Sequence, residues 1–230
     1  MEQIKMVVFD MAGTTVNEDN IVYKTLQKAI NEAGFDFTLV QVLAQGAGKE
    51  KLQAIRSILS VYAASTDEQL AGDIYQNFIK QLATAYDTEP IYPQPNAGEL
   101  FAALKKRDIK AVLNTGYNRQ TAQYIIDKLG WREGVDFDAL VTASDVKKNR
   151  PDPDMIEFAM NIFNIIDPAQ VVKVGDSIID IEEGKNAGCA LSIGITTGAH
   201  TFEQLKSANP DLVINNLMEI LPGIDQRVEA

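Results

Sequence analysis

Two residue types that build many protein sites are nearly missing from this 230-residue chain, which has one cysteine, Cys189, and one histidine, His200. A single cysteine excludes an intramolecular disulfide framework and any multi-cysteine metal site, and it suits a reducing compartment. A single histidine excludes a metal site built on a histidine pair. Positive charge is also short: Lys+Arg number 21 against 32 Asp+Glu, a formal net charge of −11. Nucleic-acid backbones and anionic membranes recruit Lys and Arg, so this balance argues against both as partners. It leaves room for a small anionic substrate, because a divalent cation and a few local basic groups can invert the field inside one cleft. No apolar run approaches the roughly 20 residues that span a bilayer. The first residues reach Asp10 without the charged and apolar regions of a signal peptide, so a cytoplasmic protein is expected. What remains, 46% hydrophobic and 23% charged, is a globular balance, enough for one substantial core plus an insertion.

Short apolar runs at 4–9, 109–114, 138–143, 171–175, 190–195 and 211–214 predict strands. Helical stretches separate most of them, near 97–107, 118–129, 154–165, 178–187, 201–208 and 216–221. Nearly continuous hydrophobic strands alternating with helices mean βα units, a parallel sheet and helices on both faces. The predicted core is therefore a three-layer, Rossmann-like α/β domain. The interval 16–91 breaks the pattern and contains no convincing strand. It reads as helices near 21–34, 38–44, 49–61 and 67–87, and in the last Leu70, Ile74, Phe78 and Leu82 recur on one face. The Pro-rich stretch from Pro90 to Pro95 is a stiff return linker. The expected layout is a core of 1–15 plus 92–230, with a helical cap, 16–91, inserted after the first strand.

In open α/β sheets ligands sit beyond the carboxyl ends of the strands. After the first strand comes Asp10-Met11-Ala12-Gly13-Thr14, and after the second Thr115-Gly116-Tyr117. Arg150 follows the third, and Gly175-Asp176 with Asp180 the fourth. A carboxylate, a hydroxyl, a cation and a carboxylate pair thus converge on one edge. Paired carboxylates with a carbonyl oxygen suit Mg²⁺, a hard cation that keeps several waters. A hydroxyl, turn amides and an arginine suit a phosphoryl group. An aspartate at such a position can also be a simple cap or turn residue, and Asp145 is read that way.

The ordered set DMAGT at 10–14, NTGYNR at 114–119, RPDP at 150–153 and GDSIID at 175–180 resembles the haloacid dehalogenase superfamily over essentially the whole chain. The resemblance implies that Asp10 attacks phosphorus and becomes an aspartyl-phosphate. It implies Mg²⁺ held by Asp10, the Ala12 carbonyl and Asp176, with Asp180 orienting the metal shell. Thr115 and Arg150 would hold the transferring phosphoryl group, with Gly13, Thr14, Gly116 and Tyr117 beside it.

Ala12 stands where phosphatases of this superfamily carry a second aspartate, the general acid that protonates the leaving group. A methyl group donates no proton, and general acid catalysis is worth roughly 10²–10⁴-fold. DMAGT together with Arg150 resembles the phosphonatase branch, in which a cap lysine forms a Schiff base and the iminium takes up the electrons of the broken C–P bond. The matching lysine is read as Lys49, in the loop Gln45-Gly46-Ala47-Gly48-Lys49, where the glycines, Gly46 among them, let the cap approach the core. As the first residue of the 49–61 helix it would have a lowered pKa. Lys51 is the near alternative, pointing elsewhere on the helix. The match has gaps: Gln45, Leu52 and Asn20 stand where that branch carries Met, His and Cys. The expected activity is Mg²⁺-dependent cleavage of a small aldehyde phosphonate. The alternatives are phosphate-ester hydrolysis and a non-catalytic phosphate- or metal-binding relative, and the branch implies a homodimer. His200, Cys189, Trp131 and the Glu182-Glu183 pair are set aside as structural or solvated.

Overall fold

A computed structural model of the chain describes residues 3–228. The first strand, β1 (Met6–Asp10), is buried along its whole length. Its alternation sorts the two faces: Val7 and Phe9 join one hydrophobic cluster, Met6 and Val8 the other. The chain then forms β2 (Val16–Asn17) and four helices, α1 (Ile21–Glu32), α2 (Leu39–Gly46), α3 (Lys51–Ala63) and α4 (Glu68–Thr88). It returns through β3 (Tyr92–Pro93) and α5 (Ala97–Lys106). Next come β4 (Lys110–Thr115), α6 (Arg119–Leu129), β5 (Ala139–Thr142), α7 (Asp154–Ile162) and β6 (Val171–Gly175). The remainder is α8 (Ile178–Asn186), β7 (Leu191–Ile195), α9 (Phe202–Ser207), β8 (Leu212–Ile214) and α10 (Ile220–Val228).

Six strands form one parallel sheet in the order β5-β4-β1-β6-β7-β8. The chain builds outward from β1 through β4 to the edge at β5, then crosses back to place β6 on the other side of β1. That reversal opens a crevice at the carboxyl ends of β1, β4 and β6. Register keeps these ends level, with Asp10 opposite Asn114 and Thr115 opposite Thr142.

The α1–α4 module packs around Leu26, Ile30, Ile55, Ile58, Ile74, Phe78 and Leu82. The fourth-residue pattern on α4 holds at Ile74, Phe78 and Leu82, with Leu70 half-buried at the margin. A short antiparallel ribbon, Val16 against Pro93 and Asn17 against Tyr92, ties the two chain segments that enter and leave the module. Two-residue strands carry no periodicity, which is why this ribbon is absent from the sequence reading. The last helix also begins later than expected, at Ile220 instead of 216.

Helix α3 starts at Lys51, two residues later than the sequence reading, because Glu50 is its N-cap. The Glu50 carboxylate accepts from the amides of Leu52 and Gln53, both at 2.9 Å. Those amides have no partner inside the helix, so an acidic cap fixes the start there. The shift moves Lys49 out of the helix and puts Lys51 on its first turn.

Candidate active site

Asp10 ends β1 in the crevice, buried, with Arg150 Nη1 donating to its Oδ1 at 2.7 Å. Burial raises its pKa, and the Arg150 charge opposes the rise. The turn that follows is tightly specified. Gly13 has φ +88, donates to the Val16 carbonyl at 2.8 Å, and lies against Asp176, where a Cβ would overlap the carboxylate. Ala12 is half-buried before it. Thr14 is buried, with its hydroxyl 3.5 Å from Asp176 Oδ1. The hydroxyl of Thr15 donates to the Asp10 carbonyl at 2.9 Å and holds the strand end.

Asp176 follows β6, and Asp180 lies in the first turn of α8. One oxygen from each of Asp10, Asp176 and Asp180 lies within 4.8 Å of the others. Burial and the neighbouring charges of Asp10 and Asp180 push the Asp176 carboxyl well above the usual range. Burial acts the same way on Asp180, but Arg150 and Lys173 outweigh it and hold that carboxyl low. Thr115 is buried at the end of β4, its hydroxyl accepting from the Tyr117 amide at 3.2 Å.

Behind these residues lies a buried ionic layer. Arg150 is 1% exposed and donates through Nε to Glu183 at 2.9 Å and through Nη2 to the Asn114 carbonyl at 2.8 Å. Lys173, inside β6, reaches Asp180 and Glu183, each at 3.0 Å. Glu183 is therefore fully buried and is not part of a solvated face. Its pairing with Glu182 hides that one helical residue faces in while its neighbour faces out. Lys173 left a legible trace, a lysine inside an otherwise apolar buried strand.

The cap loop closes over the crevice. Gly48 has φ +75, and a Cβ there would overlap the Ser177 hydroxyl; its carbonyl lies 3.4 Å from Arg150 Nη1. Gly116 lies against the Lys49 carbonyl, where a Cβ would be 2.8 Å away. Gly46 is placed differently from the expectation: it packs inside the cap against Leu26, Ala54 and Ile58 and does not reach the crevice. Lys49 also departs from it. Its amine turns away to the Ser57 hydroxyl at 3.1 Å, although burial does lower its pKa as expected, with the Glu182 carboxylate opposing. Lys51 is the cap lysine that faces inward. It is 7% exposed, donates to the Lys49 carbonyl at 2.8 Å, and lies over the rings of Tyr23 and Tyr117, 5.2 and 5.3 Å from their centroids. Burial lowers its pKa, and Asp10 is the carboxylate that opposes this most.

A family model described as haloacid dehalogenase-like hydrolase matches residues 4–188. The protein belongs to the haloacid dehalogenase-like hydrolases. This hydrolase is 30% identical, over an alignment of 258 positions with gaps, to a phosphonoacetaldehyde hydrolase of Latilactobacillus sakei, covering 97% of this chain and 96% of that protein. It is 27% identical, over an alignment of 232 positions with gaps, to a phosphoglycolate phosphatase of Vibrio vulnificus, covering 96% of each. A solved phosphonoacetaldehyde hydrolase-like protein from Oleispira antarctica shares the fold, with a TM-score of 0.81 and 21% identity over 99% of this chain and 94% of that one.

The acidic cluster fits a divalent cation. Four buried carboxylates, Asp10, Asp176, Asp180 and Glu183, face two buried cations, Arg150 and Lys173. Arg150 and Lys173 lie against Asp10, Asp180 and Glu183, leaving Asp176 with amide and hydroxyl contacts from Ala199 and Thr14. A doubly charged ion on oxygen donors would balance the excess negative charge. His200 is buried beside the cluster, and its Nδ1 accepts from the first amide of α8 at 3.0 Å, a capping role. Among the described residues no helix is long and apolar enough to cross a membrane.

Proposed function

We propose that this hydrolase cleaves the carbon–phosphorus bond of a small aldehyde phosphonate, with Asp10 as the nucleophile and Lys51, in place of Lys49, as the imine-forming amine. The observation that carries the reading is the Lys51 amine, buried on a helix's first turn between two aromatic rings and within the field of Asp10. Desolvation and the positive helix end both favour the neutral amine that attacks a carbonyl.

In this reading Lys51 condenses with the aldehyde, and water leaves. Asp10 then attacks phosphorus as the C–P bond breaks, and the bonding pair moves into the iminium to give an enamine. Protonation at carbon and hydrolysis free Lys51, while water hydrolyses the aspartyl-phosphate. The iminium takes the electrons, so no acid is needed at Ala12. Arg150 fixes the Asp10 carboxylate for in-line attack. Thr115 and the Gly116 amide hold the phosphoryl oxygens, beside the Gly13–Thr14 turn, whose own amides donate to the Val16 and Met11 carbonyls. Asp10, Asp176 and the Ala12 carbonyl would hold Mg²⁺, which when bound neutralises charge between the carboxylate and the phosphoryl group.

Kinship with the Vibrio phosphoglycolate phosphatase supports a second reading, ester hydrolysis on Asp10. Ala12 counts against it, because an alkoxide leaving group would depart unprotonated. The deciding experiment incubates the protein with phosphonoacetaldehyde and borohydride and maps the adduct by mass spectrometry. The adduct is expected on Lys51, and Lys51→Ala is expected to lower phosphate release by about 10³-fold or more while Lys49→Ala stays within a few-fold. Turnover of phosphoglycolate with no adduct on any lysine would replace this reading with the phosphatase one.

A further inference from the structure

Imine formation on Lys51 needs a proton moved twice. Lys51 must lose one to attack the carbonyl, and the carbinolamine oxygen must gain one to leave as water. No histidine can shuttle it, since Leu52 lies three residues after Lys49, Ala54 three after Lys51, and His200 caps α8.

A buried chain of hydroxyls ends at an aromatic ring over which the amine lies, 5.3 Å from the ring centroid. Glu18, 3% exposed, lies between β2 and α1, and its Oε2 accepts from the Val22 amide and from the Tyr86 hydroxyl, both at 2.9 Å. The Tyr86 and Tyr117 hydroxyls are 2.7 Å apart. Tyr117 is the ring over which the Lys51 ammonium lies. All three links come from different parts of the chain: Glu18 from the cap stem, Tyr86 from the end of α4, and Tyr117 from the β4–α6 turn. Each is buried, and the Cβ clash at Gly116 shows how tightly the cap loop covers the chain's core end.

We propose that Glu18 is the proton store for Lys51, exchanging with it through the hydroxyls of Tyr86 and Tyr117. This rests on the imine reading. In the first half the proton leaves the Lys51 ammonium for Tyr117, whose own proton passes to Tyr86 and that of Tyr86 to Glu18; the neutral amine then bonds to the carbonyl carbon. In the second half the chain runs backward, the proton reaches the carbinolamine hydroxyl, the C–O bond breaks, and water leaves with the C–O pair. Ammonium plus aldehyde becomes iminium plus water, and Glu18 ends as it began. A water or the substrate oxygen spans the last gap beside Tyr117. Burial pushes the Glu18 carboxyl up to about 7, opposed by the Val22 amide, Tyr86, Lys51 and Lys24, so the group is poised to take up and return a proton near neutrality. Tyr23 also faces this region from α1, and its hydroxyl accepts from the Gly48 amide at 3.0 Å.

Glu18 acts through other groups and is a positioning residue; a merely structural Glu18 would tolerate glutamine. The test follows borohydride capture of phosphonoacetaldehyde on Lys51 over about pH 5.5 to 9 in wild type, Glu18→Gln and Tyr86→Phe. Glu18 must be ionised to accept the proton, so wild-type capture is expected to rise with pH through about 7. Both variants are expected to lose that limb and to be captured roughly 10²-fold more slowly. Tyr86→Phe keeps the ring and removes only the hydroxyl, so it decides the matter should Glu18→Gln fail to fold. Wild-type rates and pH profiles in the folded variants would overturn the relay alone. No capture in wild type at any pH would overturn the imine reading and the relay with it.

Discussion

At Arg150 one guanidinium meets Asp10, Asp180, Glu183 and the Asn114 carbonyl, between 2.7 and 3.0 Å. Burial would lower its pKa, but the charges of Asp180, Glu183 and Asp10 outweigh that and hold it well above the usual arginine value. A lysine offers a single ammonium and cannot reproduce the fork. Arg150→Lys is therefore expected to leave a buried carboxylate or carbonyl unpaired and to cost about 3 kcal/mol in chemical denaturation. In the proposed mechanism Asp10 loses the partner that aims it, so phosphate release is expected to fall by roughly 10²-fold. An unchanged denaturation midpoint would mean that Lys173 alone balances the layer. The motif position of Arg150 is legible in sequence. Its use as the clamp on Asp10 is not, because the ion pairs with Asp10, Asp180 and Glu183 join segments far apart in sequence.

The cap's contribution is concentrated in one element, the loop from α2 to α3. The Glu50 cap sets the helix start, and the start decides which lysine faces in. Gly48 sets how close the loop comes. Its φ of +75 disfavours any side chain, and a Cβ would meet the Ser177 side chain. Gly48→Ala is expected to lower kcat/KM by about 10- to 100-fold through imperfect closure, with a stability loss of only about 1 kcal/mol. Steady-state kinetics beside a thermal melt checks this. Full activity with an unchanged melt would show that the loop does not need to close this tightly.

The whole molecule joins cap and core through one continuous hydrophobic cluster, which runs from Phe9 and Ile193 to Leu26, Ile55 and Phe78. The ionic layer sits at the sheet's switch point. A ligand that relieves its excess negative charge should be felt in global stability. Saturating Mg²⁺ is expected to raise the thermal midpoint, by the equivalent of about 2.7 kcal/mol at a hundred times Kd. The gain should be lost on chelation and in Asp176→Asn. A melt indifferent to Mg²⁺ in wild type would count against a metal at the Asp10–Asp176–Asp180 cluster.

The six strands of the parallel sheet and the four helices α1–α4 were legible because apolar periodicity is a local property, and the strand-end position of Asp10, Thr115 and Asp176 followed from it. Ala12 was legible as an apolar residue in the turn after Asp10. The two-residue ribbon at the cap stem, the inward face of Glu183 and the Glu18–Tyr86–Tyr117 chain were not, because each joins residues far apart in sequence. Which of Lys49 and Lys51 turns inward lay between these cases: it turned on where a helix begins, and that was set by a side chain capping amides two and three residues ahead. Sequence by itself determined which chemistry stands at the ends of the strands. Tertiary structure alone decided which buried groups share a hydrogen bond or an ion pair, since desolvation and pairing exist only once distant segments are packed together.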